Sequence, residues 1–390
     1  MDIVCFSHLR WNFVYQRPQH LLTRFSEHFR IFYVEEPFYH AQADSYQINI
    51  QDNVSIVTMH LKGDPNEQDI NQRQQRIIGN IFISNKVKDY ILWYYTPMAL
   101  RITAGLKPVA TVFDCMDELS AFKFAPPALK QLERELLGKA DIVFTGGHSL
   151  FAAKKHQHPN IHSFPSSIDK NHFSKARRIK KDPADQANIG YPRFGFYGVI
   201  DERFDIELIK GVADKRPDWN IVLVGPIVKI DPATLPNNPN IHYLGGKTYN
   251  ELPSYLAGWD IAMISFALNE STKFISPTKT PEYLAGGKPV ISTSIKDVVE
   301  TYGNNGLVHI ANTPDEFIAV AEKELKQKDK RKWRKKVDNF IADDSWDNTV
   351  FKMRQLLYVA IANREIMMTK KPSVAIAPHF SLEKQLPAAS

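Results

Sequence analysis

A rhythm, repeated twice, constrains this chain most. Short apolar runs alternate with stretches of helical periodicity on both sides of a polar, basic segment at 169–192. In the first half DIVCF (2–6), RIFYVEE (30–36), NVSIVTM (53–59), DYILWYY (89–95), PVATVFD (108–114), DIVFTGG (141–147) and NIHSFPS (160–166) read as strands, with helices at 18–29, 66–88, 126–140 and 148–157. The pattern restarts with RFGFYGV (193–199), NIVLVGP (220–226), NIHYLGG (240–246), DIAMISF (260–266), KPVISTS (288–294) and GLVHIA (306–311), with helices near 205–213 and 249–257. Apolar runs separated by helices belong to parallel sheets covered on both faces.

The expected fold is therefore α/β, two tandem Rossmann-like doubly wound parallel-sheet domains facing a cleft. At 390 residues the chain exceeds one ordinary core. The boundaries read as 1–168, a connection at 169–192, a second domain at 193–344, a helix at 345–366 and a Pro-, Ala- and Ser-rich tail at 367–390. In the terminal helix Trp346, Val350, Met353, Leu356, Leu357 and Ile361 form an apolar stripe at helical spacing. Doubly wound units bind ligands at the carboxyl ends of their strands, so the cleft is the expected site.

Composition narrows the function. With 43% hydrophobic and 24% charged residues the chain reads as soluble and globular. Its net charge of +6 favours an anionic partner, either a nucleotide, a phosphate or the inner membrane surface. The basic residues read as dispersed and no nucleic-acid reading module is present, so nucleic acid is not expected. Cys5 and Cys115 have no metal-ligand spacing and make no disulfide framework, which points to a reducing cytoplasm and no metal. MDIVCFSHLRW is not a signal peptide, and no apolar run approaches the roughly 20 residues of a membrane span, so membrane contact would be peripheral. No G-x-G-x-x-G follows the first strand, which disfavours a dinucleotide cofactor.

The chemistry concentrates in the second half. In SPTKTPEYLAGGKPVIST (276–293), Lys279 and Glu282 lie three apart on a helical turn and project to one side. Ser276, Thr278 and the first-turn N–H groups make an anion site reinforced by Lys279, while Glu282, one turn deeper, can accept from both hydroxyls of a ribose. A local Lys–Glu pair is the plainer alternative. Gly198, after the strand at 193–199, permits close backbone approach to an anion, and Arg203 offers a fork of donors to phosphate, or else caps the acidic turn through Asp201, Glu202 or Asp205. Gly225 repeats the arrangement. Around Gly245 a strand-end loop with Tyr243 or Tyr249 would hold a flat base, unless the glycines only make a turn.

PTKTPEYLAGGKPVIST resembles the donor segment of GT-B glycosyltransferases, close to family four and its bacterial cell-surface polysaccharide relatives. SHLRWNFVYQRPQHLL, FDCMDELSAF and FTGGHSLF are similar to a bacterial subgroup of them. The resemblance implies a GT-B fold with the terminal helix crossing back to the first domain. It implies a nucleotide-diphosphate sugar as donor substrate, UDP-linked by preference, with no obligatory cofactor. Lys279 and Arg203 would neutralise the diphosphate and Glu282 would bind the ribose. The family usually places a second Glu eight positions before the ribose Glu; here that position is Phe274.

The first domain is expected to hold a glycan or lipid-linked acceptor. Asp114 and Asp117 follow a strand at the cleft edge, and Asp117 is the preferred base for an inverting reaction, with helix capping as its alternative role. His8, Arg10, Arg17 and His20 gather donors in one loop among Trp11, Phe13 and Tyr15, suited to a phosphate-bearing acceptor such as a lipid-linked sugar with the aromatic faces against its ring; the aromatics would otherwise pack on themselves. His148 heads a helix on the same side. The expected activity is hexosyl transfer in cell-surface polysaccharide synthesis, in the cytoplasm at the inner face of the membrane. A sugar-nucleotide epimerase and a non-catalytic binding or scaffold protein are the alternatives.

Overall fold

The computed structural model describes residues 1–369. The first half runs β1 (Asp2–Ser7), α1 (Arg17–Phe25), β2 (Arg30–Glu35), β3 (Phe38–Ala41), β4 (Ser45–Gln51), β5 (Val54–Lys62), α2 (Ile70–Ser84), β6 (Tyr90–Tyr94), β7 (Ala110–Cys115), α3 (Leu129–Lys139), β8 (Ile142–Thr145), α4 (His148–Lys154) and β9 (Ile161–Ser163). Its strands form one sheet in the order β3-β5-β2-β1-β6-β7-β8-β9, with β4 added antiparallel to β5. β3 and β4 were not expected. Their alternating polar pattern suits an exposed edge, and a two-residue turn at Asp52 and Asn53, both at positive φ, closes the β4–β5 hairpin.

Successive residues of β1 serve opposite faces of the sheet, as strand geometry requires. Ile3 and Cys5 join one core cluster, Val4 and Phe6 the other.

The connection at 169–192 is less loose than its polarity suggests. α5 (Lys170–Phe173) and the turn after it fold onto the second sheet, burying Phe173, Ala176 and Ile189 in its core. Buried Gln186 accepts from Trp259 Nε1 at 2.9 Å, and Asp182 pairs with buried Arg193 at 2.7 Å. These apolar anchors are too irregularly spaced to show a period.

The second half runs β10 (Arg193–Tyr197), α6 (Ile206–Lys215), β11 (Asn220–Val224), β12 (Ile241–Tyr243), α7 (Leu252–Ala257), β13 (Ile261–Ile264), α8 (Lys279–Ala285), β14 (Val290–Ser292), α9 (Lys296–Val298) and β15 (His309–Ile310). All six strands are parallel, in the order β12-β11-β10-β13-β14-β15. α10 (Pro314–Lys326), α11 (Arg331–Phe340) and α12 (Trp346–Thr369) follow. α12 returns to the first domain, where Trp346, Val350, Met353, Leu357 and Ile361 enter the cluster built on Ile3 and Cys5 and Leu356 packs against it. It runs through Thr369, so the expected tail does not begin at 367; residues 370–390 of that tail lie outside the described residues.

Candidate active site

A cleft of about 1240 Å³ opens between the two sheets, lined from both. On the second domain its floor is glycine. Gly198 and Gly225, at the ends of β10 and β11, have φ of 135° and 152°. A Cβ at Gly225 would strike the Gly198 backbone, and one at Gly198 would strike Lys279 Cε. Glycine is thus what lets Lys279 lie over the strand ends.

Lys279 opens α8, where Pro281 costs little because first-turn N–H groups lack helical partners anyway. With only seven residues this helix brings a weak dipole, so the anion-attracting charge is mainly that of Lys279. Its Nζ lies 5.4 Å from the ring centroids of Phe196 and Phe266, and burial with Arg203 nearby pushes its pKa down. Glu282, one turn on, is buried, accepts from Tyr197 Oη at 2.7 Å, and has its pKa raised by that burial. No ion pair joins Lys279 to Glu282 among the described residues, so both face the cleft with their charges unspent on each other.

Arg203 takes the acidic-turn role expected of it and keeps one nitrogen toward the cleft. Asp201 accepts from its Nε at 3.0 Å and from Nη2 at 2.6 Å, and the guanidinium lies 5.3 Å from the Phe122 ring centroid. Nη1 makes no hydrogen bond among the described residues, and the side chain lines the cleft. Ser276 and Thr278 also line it, although the Ser276 carbonyl is occupied, accepting from Ser166 Oγ at 3.0 Å. The Tyr243 and Gly245 expectations are not met. Tyr243 donates its hydroxyl to Pro236 O at 2.9 Å, and the Gly245 carbonyl accepts from Gly225 N at 2.9 Å; neither lines the cleft. The neighbouring Lys247–Leu252 segment does, with Tyr249 stacked between Tyr15 and His172.

On the first domain the structure separates the expected residues. Asp117 lines the cleft, half-buried, and burial pushes its carboxyl up to about 6 against the pull of Arg203. Its carboxylate makes no hydrogen bond among the described residues, so it caps no helix. Asp114 is fully buried under Arg17, accepting from Nε at 3.0 Å and Nη2 at 2.8 Å, and does not reach the cleft. Arg17 spends its remaining Nη1 on Phe164 O at 2.8 Å. Arg10 pairs with Glu35 at 3.2 Å, and His20 stacks on Trp346 with centroids 4.6 Å apart; both are off the cleft. His8, also off it, is held neutral, pushed down to about 4 by burial and by Lys229. The exposed His148 ring contacts Ser163, while its backbone N–H donates to Asp297 across the domain boundary.

The aromatic loop expected at the acceptor side does line the cleft, from Trp11 through Arg17, while Arg10 and His20 do not. One feature escaped the sequence reading. The basic residues are less dispersed than expected: Lys326, Lys328, Lys332, Arg334, Lys335 and Lys336, in and just before α11, are exposed and form no ion pair among the described residues. The run KQKDKRKWRKK (326–336) carries that signal plainly.

Facing doubly wound domains with this cleft between them make the GT-B fold, shared with the solved structures that superpose on this chain. Residues 193–327, within the second domain, match the family model described as glycosyl transferases group 1. TuaH of Bacillus subtilis (strain 168), named as a teichuronic acid biosynthesis glycosyltransferase, is 23% identical over 278 residues, covering 67% of this chain and 70% of that protein. Among solved structures, sucrose-phosphate synthase from Thermosynechococcus elongatus superposes with a TM-score of 0.68 at 13% identity, over 93% of this chain and 99% of its own. Anabaena HepE in complex with UDP gives 0.63 at 13% identity, over 92% and 100%.

Proposed function

We propose that the chain transfers a hexosyl group from a nucleotide-diphosphate sugar, UDP-linked by preference, to a glycan or lipid-linked acceptor in cell-surface polysaccharide biosynthesis. The observation that carries this reading is Lys279, without an ion-pair partner among the described residues, above the Gly198–Gly225 floor with Glu282 one turn deeper. The diphosphate lies on that floor between Lys279 and Arg203 Nη1, and the ribose hydroxyls donate to Glu282. The UDP in the HepE structure and the polymer in the TuaH name agree with it.

In the reaction the acceptor hydroxyl oxygen bonds to the anomeric carbon as the bond from that carbon to the diphosphate breaks. The electron pair leaves on the diphosphate oxygen, where the two cations offset it. Asp117 accepts a hydrogen bond from the attacking hydroxyl and, in an inverting transfer, takes its proton. In a retaining transfer the proton passes to the departing oxygen. The basic run around α11 holds the enzyme peripherally on the anionic inner face of the plasma membrane.

Melting the protein with UDP, GDP, ADP and TDP tests the donor site. A ligand at a hundredfold its Kd stabilises by about 2.7 kcal/mol. UDP should raise the melting temperature of the wild type, and Lys279→Ala and Glu282→Ala should abolish the rise. A wild-type response in both variants would place the donor elsewhere. Conversion of the donor sugar with no acceptor present would identify an epimerase instead.

A further inference from the structure

The loop between β1 and α1 was built to face the cleft. Trp11 is buried, edge-on to Tyr33, and its backbone N–H donates to Glu35 Oε1 at 2.7 Å. Gln19, 1% exposed, braces the loop from beneath. Its Nε2 donates to Trp11 O at 2.6 Å and Val14 O at 3.1 Å, and its Oε1 accepts from Gln16 N at 3.0 Å. Phe13 stands on this clamped loop, 48% exposed, lining the cleft without an aromatic partner among the described residues. Of the large apolar side chains exposed among the described residues, Phe13 alone lines the cleft.

The charges around it are equally particular. Among the described residues Arg17 is the one Lys or Arg that the first domain contributes to the cleft lining, and Asp114 and Phe164 O take its donors. Asp52, Asp117 and Asp169 line the same cleft, with Asp169 Oδ1 accepting from His172 N at 3.0 Å. Across the cleft, Lys247 is paired with Asp185 at 2.7 Å. The free donors of Lys279 and Arg203 sit at the glycine floor, where the donor diphosphate lies. A phosphate or carboxylate on the incoming acceptor unit would meet carboxylates with no unspent cation, and desolvating an unpaired anion is costly.

We propose that the sugar unit that receives the hexosyl group is uncharged, and that Phe13 is the platform on which its ring packs. This rests on the transfer reading above and narrows its substrate class. The C–H face of a hexopyranose is apolar and faintly positive, matching the negative face of the phenylalanine ring. Asn12 lines the cleft from the same loop, and its amide suits a hydroxyl. One of the hydroxyls of that ring attacks the anomeric carbon, with the bond changes given above, beside Asp117.

The test uses the full chain and follows UDP release from a UDP-hexose with neutral nitrophenyl hexosides, hexose 6-phosphates and a nitrophenyl glucuronide as acceptors. Neutral hexosides should accelerate release over water, and the phosphates and the glucuronide should not. Phe13→Ala should raise the KM for the neutral acceptor about tenfold, the size of a lost ring contact, with kcat little changed. Phe13→Trp should restore it. UDP should still raise the melting temperature of Phe13→Ala, which shows the fold and donor site intact. Preference for a phosphate or glucuronide acceptor, or an unaltered KM in Phe13→Ala, overturns the acceptor assignment while leaving the donor reading standing. Failure of every nucleotide to shift the wild-type melting temperature overturns the donor reading instead.

Discussion

Asp117 illustrates how a single carboxyl can be tuned by place. Burial raises its pKa to about 6, so the negative form costs folding energy in the native state. That cost is absent below the unfolded carboxyl range and grows as pH rises through about 6. Asp117→Asn should therefore melt above the wild type at pH 8, match it near pH 4, and lose roughly a hundredfold or more in transfer rate. The wild-type kcat/KM should fall with acid below about pH 6, and the Asn variant should lose that limb. A variant that lost both activity and stability at pH 8 would mark Asp117 as structural. The residues proposed for the donor were legible as a group because strand, glycine turn and helix follow one another within a few positions. The acceptor cations were misread for the opposite reason: Arg17 finds Asp114 97 residues away, and no local spacing announces such a pair.

At the scale of elements, β-branched runs and helical periods were enough to locate the main strands of both sheets. They missed β3 and β4, whose residues are polar enough for an edge and carry little hydrophobic signal. α11 carries the membrane prediction. Each Lys or Arg near an anionic bilayer contributes about 1 kcal/mol, so Lys332→Glu, Lys335→Glu and Lys336→Glu together should abolish sedimentation with phosphatidylserine vesicles at low salt. Neutral phosphatidylcholine vesicles should not bind the wild type. Equal binding of wild type and triple variant to the anionic vesicles would remove α11 from the membrane contact.

The whole molecule is held around its cleft by contacts that join distant segments. Asp297, buried in α9, accepts from His148 N and Ser149 N, each at 2.9 Å, and so caps α4 of the other domain. Losing a cap costs about 1 kcal/mol, so Asp297→Ala should lower the melting temperature by a few degrees and raise the donor KM as the walls separate. An unchanged melting temperature would mean that the clamp contributes nothing to holding the domains. Phe274 belongs to the same scale: it stands where the family usually has a glutamate, yet it packs against a core cluster of the first domain and does not line the cleft. Phe274→Glu should destabilise the protein, because a carboxylate there enters apolar packing. The sequence by itself determined the two doubly wound units and the Lys279–Glu282 segment of the cleft, since periodicity, glycine turns and that spacing are local properties of the chain. Only the tertiary structure decided which charges remain available. Ion pairing and desolvation depend on distance through space, and folding joined Arg17 to Asp114, sealed His20 against Trp346, and left Lys279, Asp117 and Phe13 facing the cleft.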